Sequence, residues 1–318
     1  MTLTIAIREF LQHCQFEKNL SPKTIKAYGI DLCQFTFFLN GKERVADIGK
    51  QDIRDYLASL SGLKPKSVKR KIASTKAMFN FLEFEEVLLV NPFRKMRINI
   101  REPQKLPSVL NMQEVMKIFR EGYRRKSEQR DQKSYSYRES VRDIVVLELL
   151  FTTGARVSEI AGLKKDSISV QSGNITIRGK GNKERIIQVC NKETISILRY
   201  YHSLFGAQIE TAGGWFLVNR FNKKLSDQSI RNMVKRVAGK AGLTRRVTPH
   251  IFRHSFATLL LEKDVDIKYI QALLGHSSIV TTQIYTHVNR AKQKQILRAK
   301  HPRKDFYCVQ ESDLMQDN

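Results

Sequence analysis

This sequence has few cysteines, no long apolar run and an N-terminus that does not resemble a signal peptide. Its four cysteines stand far apart and include no CxxC pair, so neither a disulfide framework nor a cysteine-rich zinc site is expected. Charged residues enter MTLTIAIREFLQ too early for a signal peptide, and no apolar run has the length of a membrane span. These absences predict a cytoplasmic protein that has no membrane partner.

Acidic residues are scarce beside basic ones. The 318 residues include 56 Lys and Arg against 31 Asp and Glu, a net charge of +25. Such a balance is typical of proteins with a polyanionic partner, of which nucleic acid is the commonest. With 41% hydrophobic residues the chain can still bury substantial cores, and its length favours two domains over one.

The hydrophobic pattern divides the chain in two. Helical periodicity runs through the first part, and between Asn91 and Leu110 it gives way to three prolines among basic residues, a composition typical of a linker. We therefore predict a helical first domain over residues 1–100, a linker over 101–110, a second domain over 111–303 and a C-terminal tail over 304–318.

The first domain contains two clear helical patterns. SPKTIKAYGIDLCQFTFFLN begins with Ser21 as the predicted N-cap and Pro22 in the first turn. KPKSVKRKIASTKAMFNFLEF has four basic residues largely opposite its apolar positions: Lys66, Lys69, Arg70 and Lys76. We predict that these four contact the DNA backbone; a solvated basic face is the alternative.

The second domain is predicted to be mainly α-helical with one small β-hairpin. A helix starts near Asn111, and a charged stretch around residues 121–140 is predicted to be an exposed insertion. VRDIVVLELLFTTG resumes as a buried helix that stops at Gly154. NITIRGKGNKERIIQV has two β-branched runs around a Gly/Asn-rich turn, which predicts the hairpin.

Two cations lie at positions that suit a phosphate. Arg156 stands at the start of a short helix, where the macrodipole disfavours a cation, and Glu159 one turn later can orient it. Lys180 lies between two glycines at the tip of the hairpin, from which it can reach a ligand. The alternatives are a surface Arg156–Glu159 pair and a polar turn that keeps the hairpin soluble.

TPHIFRHSFATLLLEK predicts a core helix that also presents His250 and Arg253 on one face. The spacing of His250 and His254 also suggests two zinc ligands. The metalloprotease pattern HExxH, however, requires glutamate where Ile251 stands, so no metal site is predicted.

The stretch DIKYIQALLGHSSIVTTQIYTHVNR contains two more candidate functional side chains. His276 follows a predicted helix stop at Gly275, and Tyr285 lies in the next predicted helix. A half-buried structural tyrosine is the alternative reading of Tyr285.

The candidate residues together indicate one kind of chemistry, the transfer of a phosphodiester to tyrosine without a metal ion. They are two arginines, a lysine, two histidines and a tyrosine. Arginine forks and imidazole N–H groups can stabilise the phosphoryl oxygens. A tyrosine with a free pKa of about 10 needs a base or a cationic field to activate it, and a lysine can protonate the leaving oxygen.

The same motifs resemble those of the tyrosine recombinases, with most likeness to Xer-type, phage-type and integron-type integrases. The resemblance rests on TGARVSEIAGL, GKGNKER, HIFRHSFAT, LGHSSIVTTQIYTH and the HPR at residues 301–303, and LSPKTIKAYGIDLCQF extends it to the N-terminal core-binding domain of that family. Several motifs in order are far more specific than any one of them.

The resemblance implies a role for each residue by its position. Tyr285 would form a 3′-phosphotyrosyl link, and Arg156 and Arg253 would clamp the scissile phosphate. Lys180 would protonate the leaving 5′-hydroxyl, with Lys183 as its rival.

For the remaining residues, His250 would assist proton transfer and His276 would hydrogen-bond a non-bridging oxygen. Glu159 would support Arg156, and His254 would be structural or supporting.

The resemblance also implies partners and architecture. Two domains would form a C-shaped clamp on double-stranded DNA, and a homotetramer would join two specific recombination sites through a Holliday junction, with no metal or cofactor. Such a protein would be nucleoid-associated.

Three departures from Xer proteins favour a mobile-element integrase: the charged stretch near residues 122–139, Gln188 where proline is frequent, and the extended tail. The alternatives are an Xer-type resolvase of chromosome or plasmid dimers, a type IB topoisomerase-like enzyme and a DNA-binding protein that does not cleave.

Overall fold

The structure, a computed structural model, describes residues 1–102, 108–179, 184–275 and 290–308. The chain divides into two compact units, Met1–Lys105 and Leu106–Asn318. It is mainly α-helical with a three-stranded antiparallel sheet, as the sequence predicts. Within the described ranges, no helix has the length and apolarity required to cross a membrane.

The first unit is a helical bundle. Its helices are α1 (Leu3–Phe16), α2 (Pro22–Leu39), α3 (Lys50–Ser59) and α4 (Pro65–Phe84). The start of α2 is as predicted, since the Ser21 side chain accepts a hydrogen bond from the Thr24 amide at 3.2 Å and Pro22 occupies the first turn. Phe10, Phe35 and Phe79 are fully buried between α1, α2 and α4.

A buried carboxylate ties α2 to α4. Asp31 is fully buried and accepts hydrogen bonds from Arg70, from Lys71 at 3.4 Å and from Ser74 at 3.2 Å. Because a buried carboxylate without partners is strongly unfavourable, these contacts select one register of α4 against α2.

The second unit surrounds one central helix. Its elements are α5 (Met112–Ser127), α6 (Tyr135–Thr153), α7 (Val157–Ala161), β1 (Ile168–Ser169), β2 (Asn174–Arg178), β3 (Glu184–Gln188), α8 (Lys192–Thr211), α9 (Asp227–Lys240), α10 (Pro249–Leu261), α11 (Ile267–Leu274) and α12 (Arg290–Lys300). Helix α6 is buried from Ser140 to its end and packs against α5, α8 and α10. Its apolar character on all sides is what a central position requires.

Helix α6 ends at the predicted glycine. Gly154 adopts a left-handed φ of +58°, and its amide donates to the Leu150 carbonyl. A Cβ atom at this position would lie 2.5 Å from Phe256 Cδ1 of α10. Only glycine therefore allows both the turn and the close approach of α10.

The prediction of an exposed insertion at residues 121–140 is wrong at the two ends of the stretch, whereas residues 127–136 between them are mostly exposed. Helix α5 continues to Ser127 and α6 begins at Tyr135, so only a short connection lies between them. Tyr123 and Tyr137 are buried, and the Tyr123 hydroxyl donates to Glu148 at 3.0 Å. Arg125 has its partner on α6, since it donates to Asp143 at 3.0 Å, whereas Arg124 pairs with Glu121 and Glu128 of its own stretch. Local composition does not reveal the pair with α6.

The predicted hairpin is present. Strands β2 and β3 pair antiparallel, with Asn174 opposite Gln188 and Ile177 opposite Arg185. Strand β1 adds a third strand beside β2; its two residues are too few to show alternation in the sequence.

The HPR segment is anchored in the core of the second unit. Arg303 is fully buried and donates to Glu148 at 2.7 Å and to Glu193 at 2.6 Å. Its other guanidinium nitrogen donates to the Phe306 carbonyl at 2.8 Å. Burial lowers the pKa of His301 to about 4, so the ring is neutral where it meets the Thr152 carbonyl at 3.1 Å.

Replacing Arg303 by methionine should destabilise the second unit strongly. The change removes the guanidinium that pairs with the buried carboxylates of Glu148 and Glu193, and breaking a buried pair costs about 3–5 kcal/mol. Urea unfolding followed by circular dichroism measures the loss. Lys263→Met, which removes a partly exposed ion pair with Asp305, is the control and should change stability little. Equal urea midpoints for the two variants would show that the Arg303 cluster contributes no special stability.

Candidate functional site

Three of the six predicted catalytic residues lie within the described ranges. Arg156, His250 and Arg253 belong to the second unit. Lys180, His276 and Tyr285 lie outside the described residues, and their roles stay predictions.

Helix α10 places Arg253 deep in the unit. The Thr248 side chain caps the helix by accepting from the Ile251 amide, and Pro249 occupies its first turn. Phe252, Phe256, Leu259 and Leu260 are buried, as predicted. The helix is therefore rigidly seated, and it aims Arg253 from its first turns into the interior of the unit.

Arg253 is held by backbone carbonyl oxygens. Its side chain donates to the Gly154 carbonyl at 2.9 Å and to the Leu274 carbonyl at 2.7 Å, and the residue is only 5% exposed. Desolvation, together with the charges of Arg156 and Arg185, lowers the pKa of Arg253 to about 10. The guanidinium remains protonated at neutral pH, and both of its hydrogen-bond acceptors are uncharged.

Arg156 lies at the start of α7, as predicted, and is oriented by the predicted residue. Its backbone amide and its guanidinium each donate to the Glu159 carboxylate at 2.9 Å. A further guanidinium nitrogen lies 3.4 Å from the Gly275 carbonyl oxygen. Because its side chain is 36% exposed, Arg156 can offer the rest of its fork to a ligand.

A third arginine shares the same carboxylate. Arg185 of β3 donates to Glu159 at 2.7 and 3.3 Å and, through Nε, to the Leu273 carbonyl at 2.8 Å. Burial alone would raise the pKa of Glu159, but hydrogen bonds from Arg185 and Arg156 outweigh it and hold that pKa below its usual value. Glu159 is thus a carboxylate at neutral pH, shared by two guanidinium groups.

The sequence interpretation missed Arg185. It considered only the lysines of the GKGNKER turn, yet Arg185 lies opposite the buried Ile177 in the sheet register. An arginine on the core-facing side of a strand needs a buried partner, and that was the available signal.

His250 is exposed beside these arginines. Its ring centroid lies 6.5 Å from that of His254, whose side chain is also exposed. Desolvation lowers the pKa of His250, and the charges of His254 and Arg253 lower it further. The imidazole is therefore neutral at pH 7 and can accept one proton and donate another.

The four residues predicted to contact DNA lie on α4 of the first unit. Lys66, Lys69, Arg70 and Lys76 are all exposed. Arg70 is paired with Asp31, and Lys69 lies 3.7 Å from Glu102. The solvated face is present, and its contact with DNA stays a prediction.

The arrangement suits the binding of a phosphate more than a metal. In the part of the chain that the structure describes, no group of three His, Cys, Asp or Glu side chains could hold a metal ion. Arg156, Arg185 and Arg253 approach one another around the single carboxylate of Glu159, so the site has an excess of positive charge that an anion can meet.

Two family models match the chain. Residues 127–292 match the phage integrase family, and residues 7–86 match the phage integrase N-terminal SAM-like domain.

Curated relatives match the chain along nearly its whole length. A tyrosine recombinase of Agathobacter rectalis is 45% identical, covering 95% of this chain and 97% of the relative. Tyrosine recombinase XerD of Listeria innocua is 34% identical, with coverages of 93% and 98%. Tyrosine recombinase XerC of Oceanobacillus iheyensis is 33% identical, with coverages of 95% and 97%.

Solved structures share the fold. XerH site-specific recombinase bound to difH substrate superposes with a TM-score of 0.65 at 24% identity, covering 91% of this chain and 83% of that one. A lambda integrase dimer bound to a COC′ core site gives a TM-score of 0.65 at 20% identity, with coverages of 87% and 96%.

Replacing Glu159 by glutamine should lower stability in a pH-dependent way. Since the folded-state pKa lies below the unfolded value, the carboxylate stabilises the fold above about pH 4.3, and this stabilisation is lost as pH falls through the folded pKa. Glu159→Gln should be less stable than wild type by about 2 kcal/mol at pH 7, and the gap should shrink towards pH 3. Urea unfolding at the two pH values measures both.

Glu184→Gln is the matched control, because Glu184 also pairs with an arginine, Arg178, but on the exposed surface of the β2–β3 hairpin. It should be close to wild type at both pH values. A gap for Glu159→Gln that is equally large at pH 3 and pH 7 would contradict the carboxylate assignment.

Proposed function

This chain belongs to the phage integrase family of tyrosine recombinases, and from that premise we propose how its side chains exchange DNA strands. It is a site-specific DNA recombinase, an enzyme that cleaves and rejoins DNA. We propose that the reaction passes through a 3′-phosphotyrosyl intermediate on Tyr285.

The observation that carries this proposal is the placement of Arg156 and Arg253. The two guanidinium groups come from different helices and reach adjacent carbonyls, those of Gly275 and Leu274, directly before His276 in the sequence. Two cations fixed in this way can bind the non-bridging oxygens of one phosphate. In phosphoryl transfer such positioning and charge stabilisation supply most of the catalysis.

The cleavage step is a direct substitution at phosphorus. The Tyr285 hydroxyl oxygen attacks the scissile phosphorus and loses its proton, and the bond from phosphorus to the 5′-oxygen breaks. The neutral imidazole of His250 receives the tyrosine proton, and Lys180 gives a proton to the 5′-oxygen, which leaves as a hydroxyl. Arg156 and Arg253 hold the phosphoryl oxygens throughout, with His276 donating to one of them.

Rejoining is the same step in reverse. A 5′-hydroxyl from the exchanged strand attacks the phosphotyrosine, and Tyr285 leaves and recovers its proton. One phosphate ester replaces another in each direction, so the scheme needs no oxidant, nucleotide or metal ion.

We propose that DNA contacts the basic face of α4 in the first unit and the arginines around Glu159 in the second. The net charge of +25 and the exposed Lys66, Lys69, Arg70 and Lys76 on α4 support contact with the phosphate backbone. The XerH and lambda integrase structures are bound to DNA, and a lambda integrase tetramer is bound to a Holliday junction. We propose by analogy that this chain binds double-stranded DNA as a homotetramer on two sites; the C-shaped clamp stays a prediction.

For the biological role, we propose integration or excision of a mobile element, with Xer-type dimer resolution as the alternative. Gln188 at the end of β3 supports the mobile-element role, and relatives named XerC and XerD favour dimer resolution.

A recombination assay distinguishes the two roles. The substrate is a plasmid in which two copies of the DNA that flanks the gene enclose a marker. Deletion of the marker supports the mobile-element role, and resolution confined to chromosomal or plasmid dimer sites supports the alternative. Supercoil relaxation without any such site would indicate a topoisomerase-like enzyme.

Tyr285→Phe should bind DNA as wild type does but form no covalent protein–DNA adduct, because phenylalanine lacks the attacking oxygen. The recognition site is first selected from a random-sequence duplex pool by binding to the wild-type protein. A nicked duplex of that site then traps the adduct, which denaturing gel electrophoresis detects. Undiminished adduct with Tyr285→Phe, or no adduct with the wild type, would overturn the proposal.

The same assay separates the nucleophile from the proton donor. Lys180→Ala should form little adduct on ordinary DNA and regain part of it when sulfur replaces the 5′-bridging oxygen, because a thiolate leaves without protonation. Lys183→Ala is the matched control in the same turn and should behave as wild type.

A further inference from the structure

Three arginines bind three consecutive carbonyl groups at the end of α11. Arg185 donates to Leu273 at 2.8 Å and Arg253 to Leu274 at 2.7 Å, and an Arg156 nitrogen lies 3.4 Å from the Gly275 oxygen. The arginines belong to β3, α10 and the start of α7. One helix end therefore joins three elements that are far apart in the chain.

The end of a helix is suited to this task. The last carbonyls of an α-helix have no partner within the helix and carry the negative end of its dipole. Gly275 ends α11 in a left-handed conformation, φ +64°, so the helical hydrogen-bond pattern stops here and the last carbonyl oxygens can accept from other groups. A Cβ atom there would lie 3.0 Å from an Arg185 nitrogen, so Arg185 packs closely against this turn.

Arg185 differs from the other two in what it can reach. Its side chain is only 13% exposed and its fork faces Glu159, whereas the Arg156 side chain is 36% exposed. Its contacts are with the Glu159 carboxylate and with the Leu273 carbonyl. It is thus placed to position other groups rather than to bind a phosphate.

Arg185 links three elements of the second unit. It is the second residue of β3, and it bridges to α7 through Glu159 and to α11 through Leu273. Glu159 also accepts a hydrogen bond from the Arg156 guanidinium. Loss of Arg185 would therefore disturb the carboxylate that orients Arg156.

We propose that Arg185 is a positioning residue for recombination: it fastens β3 to α7 and to the end of α11, and so holds Glu159 where it orients Arg156. The proposal rests on the proposed function, in which Arg156 holds the scissile phosphate. Arg185 itself touches neither DNA nor the reacting atoms.

Arg185→Ala should slow the chemical step and spare DNA binding. Misplacement of a catalytic group by about 1 Å costs on the order of 100-fold in rate, and that is the expected loss in adduct formation at saturating DNA. The dissociation constant for the selected duplex should stay within about threefold of wild type. Single-turnover trapping and fluorescence anisotropy measure the two quantities.

Arg178→Ala is the matched control. Arg178 lies on the paired strand β2 and makes an ion pair with Glu184 at 2.6 Å, but its side chain is 69% exposed. It should cleave at the wild-type rate. Arg185→Lys is the second variant: its single ammonium keeps a charge beside Glu159 but cannot reproduce the planar fork that spans both partners. It should remain at least about tenfold slow.

A modified substrate tests whether the effect passes through the phosphate clamp. Replacing one non-bridging oxygen of the mapped scissile phosphate by a methyl group removes its negative charge, and a well-placed Arg156 then matters less. The deficit of Arg185→Ala relative to wild type should shrink to below about tenfold on this substrate. A general folding defect would give the same deficit on both substrates.

The outcomes are distinct. If the wild type forms no adduct, the proposed function fails. If the wild type reacts and both Arg185→Ala and Arg185→Lys react at the wild-type rate, or if both lose DNA binding together with activity, the positioning role is overturned. If Arg185→Ala does not fold, Arg185→Lys carries the test, and a wild-type rate in that variant overturns the proposal.

Discussion

A strongly basic chain can bury its cations only where carboxylates or carbonyl oxygens receive them. In the part of the chain that the structure describes, single acids serve several cations. Asp31 receives Arg70 and Lys71, Asp143 receives Arg125, Arg142 and Arg236, and Glu159 receives Arg156 and Arg185. Each of these clusters joins elements that are separate in the chain. Because acidic residues are scarce, the ion pairs that connect these elements are concentrated at a few shared carboxylates.

The balance of charge within a cluster distinguishes the buried Arg303 cluster from the candidate functional site. Around Arg303, two carboxylates enclose one guanidinium, so the cluster has no positive charge to offer. Around Glu159, three arginines approach a single carboxylate, and backbone carbonyls rather than acids satisfy the rest. Carbonyls orient a guanidinium without cancelling its charge. The site thus keeps a net positive charge that a phosphate can meet.

Much of the local structure follows from short-range sequence patterns. The starts of α2 and α10 follow from Ser21 and Thr248 as caps before proline, and the end of α6 follows from Gly154. Partners across long distances were beyond such patterns. Arg303 meets Glu148 and Glu193 at separations of 155 and 110 residues, and the buried ends of the stretch at residues 121–140 depend on contacts with α6.

The candidate site shows the same division. Arg156, His250 and Arg253 were recognised from motifs, and the support of Arg156 by Glu159 was predicted from their spacing. Arg185 was not, because its partners are Glu159 and Leu273, which lie on two other elements. The spacing of residues along one helix can be predicted from the sequence. Contacts among residues of three separate elements can be identified only from the folded structure.

The sharing of Glu159 has a consequence for how its neighbours respond to substitution. Glu159 receives both Arg156 and Arg185, and Arg185 also binds the Leu273 carbonyl. A change at one of these three side chains alters the partners that are left to the other two. Their effects on stability should therefore not be additive, in contrast to those of distant and independent sites.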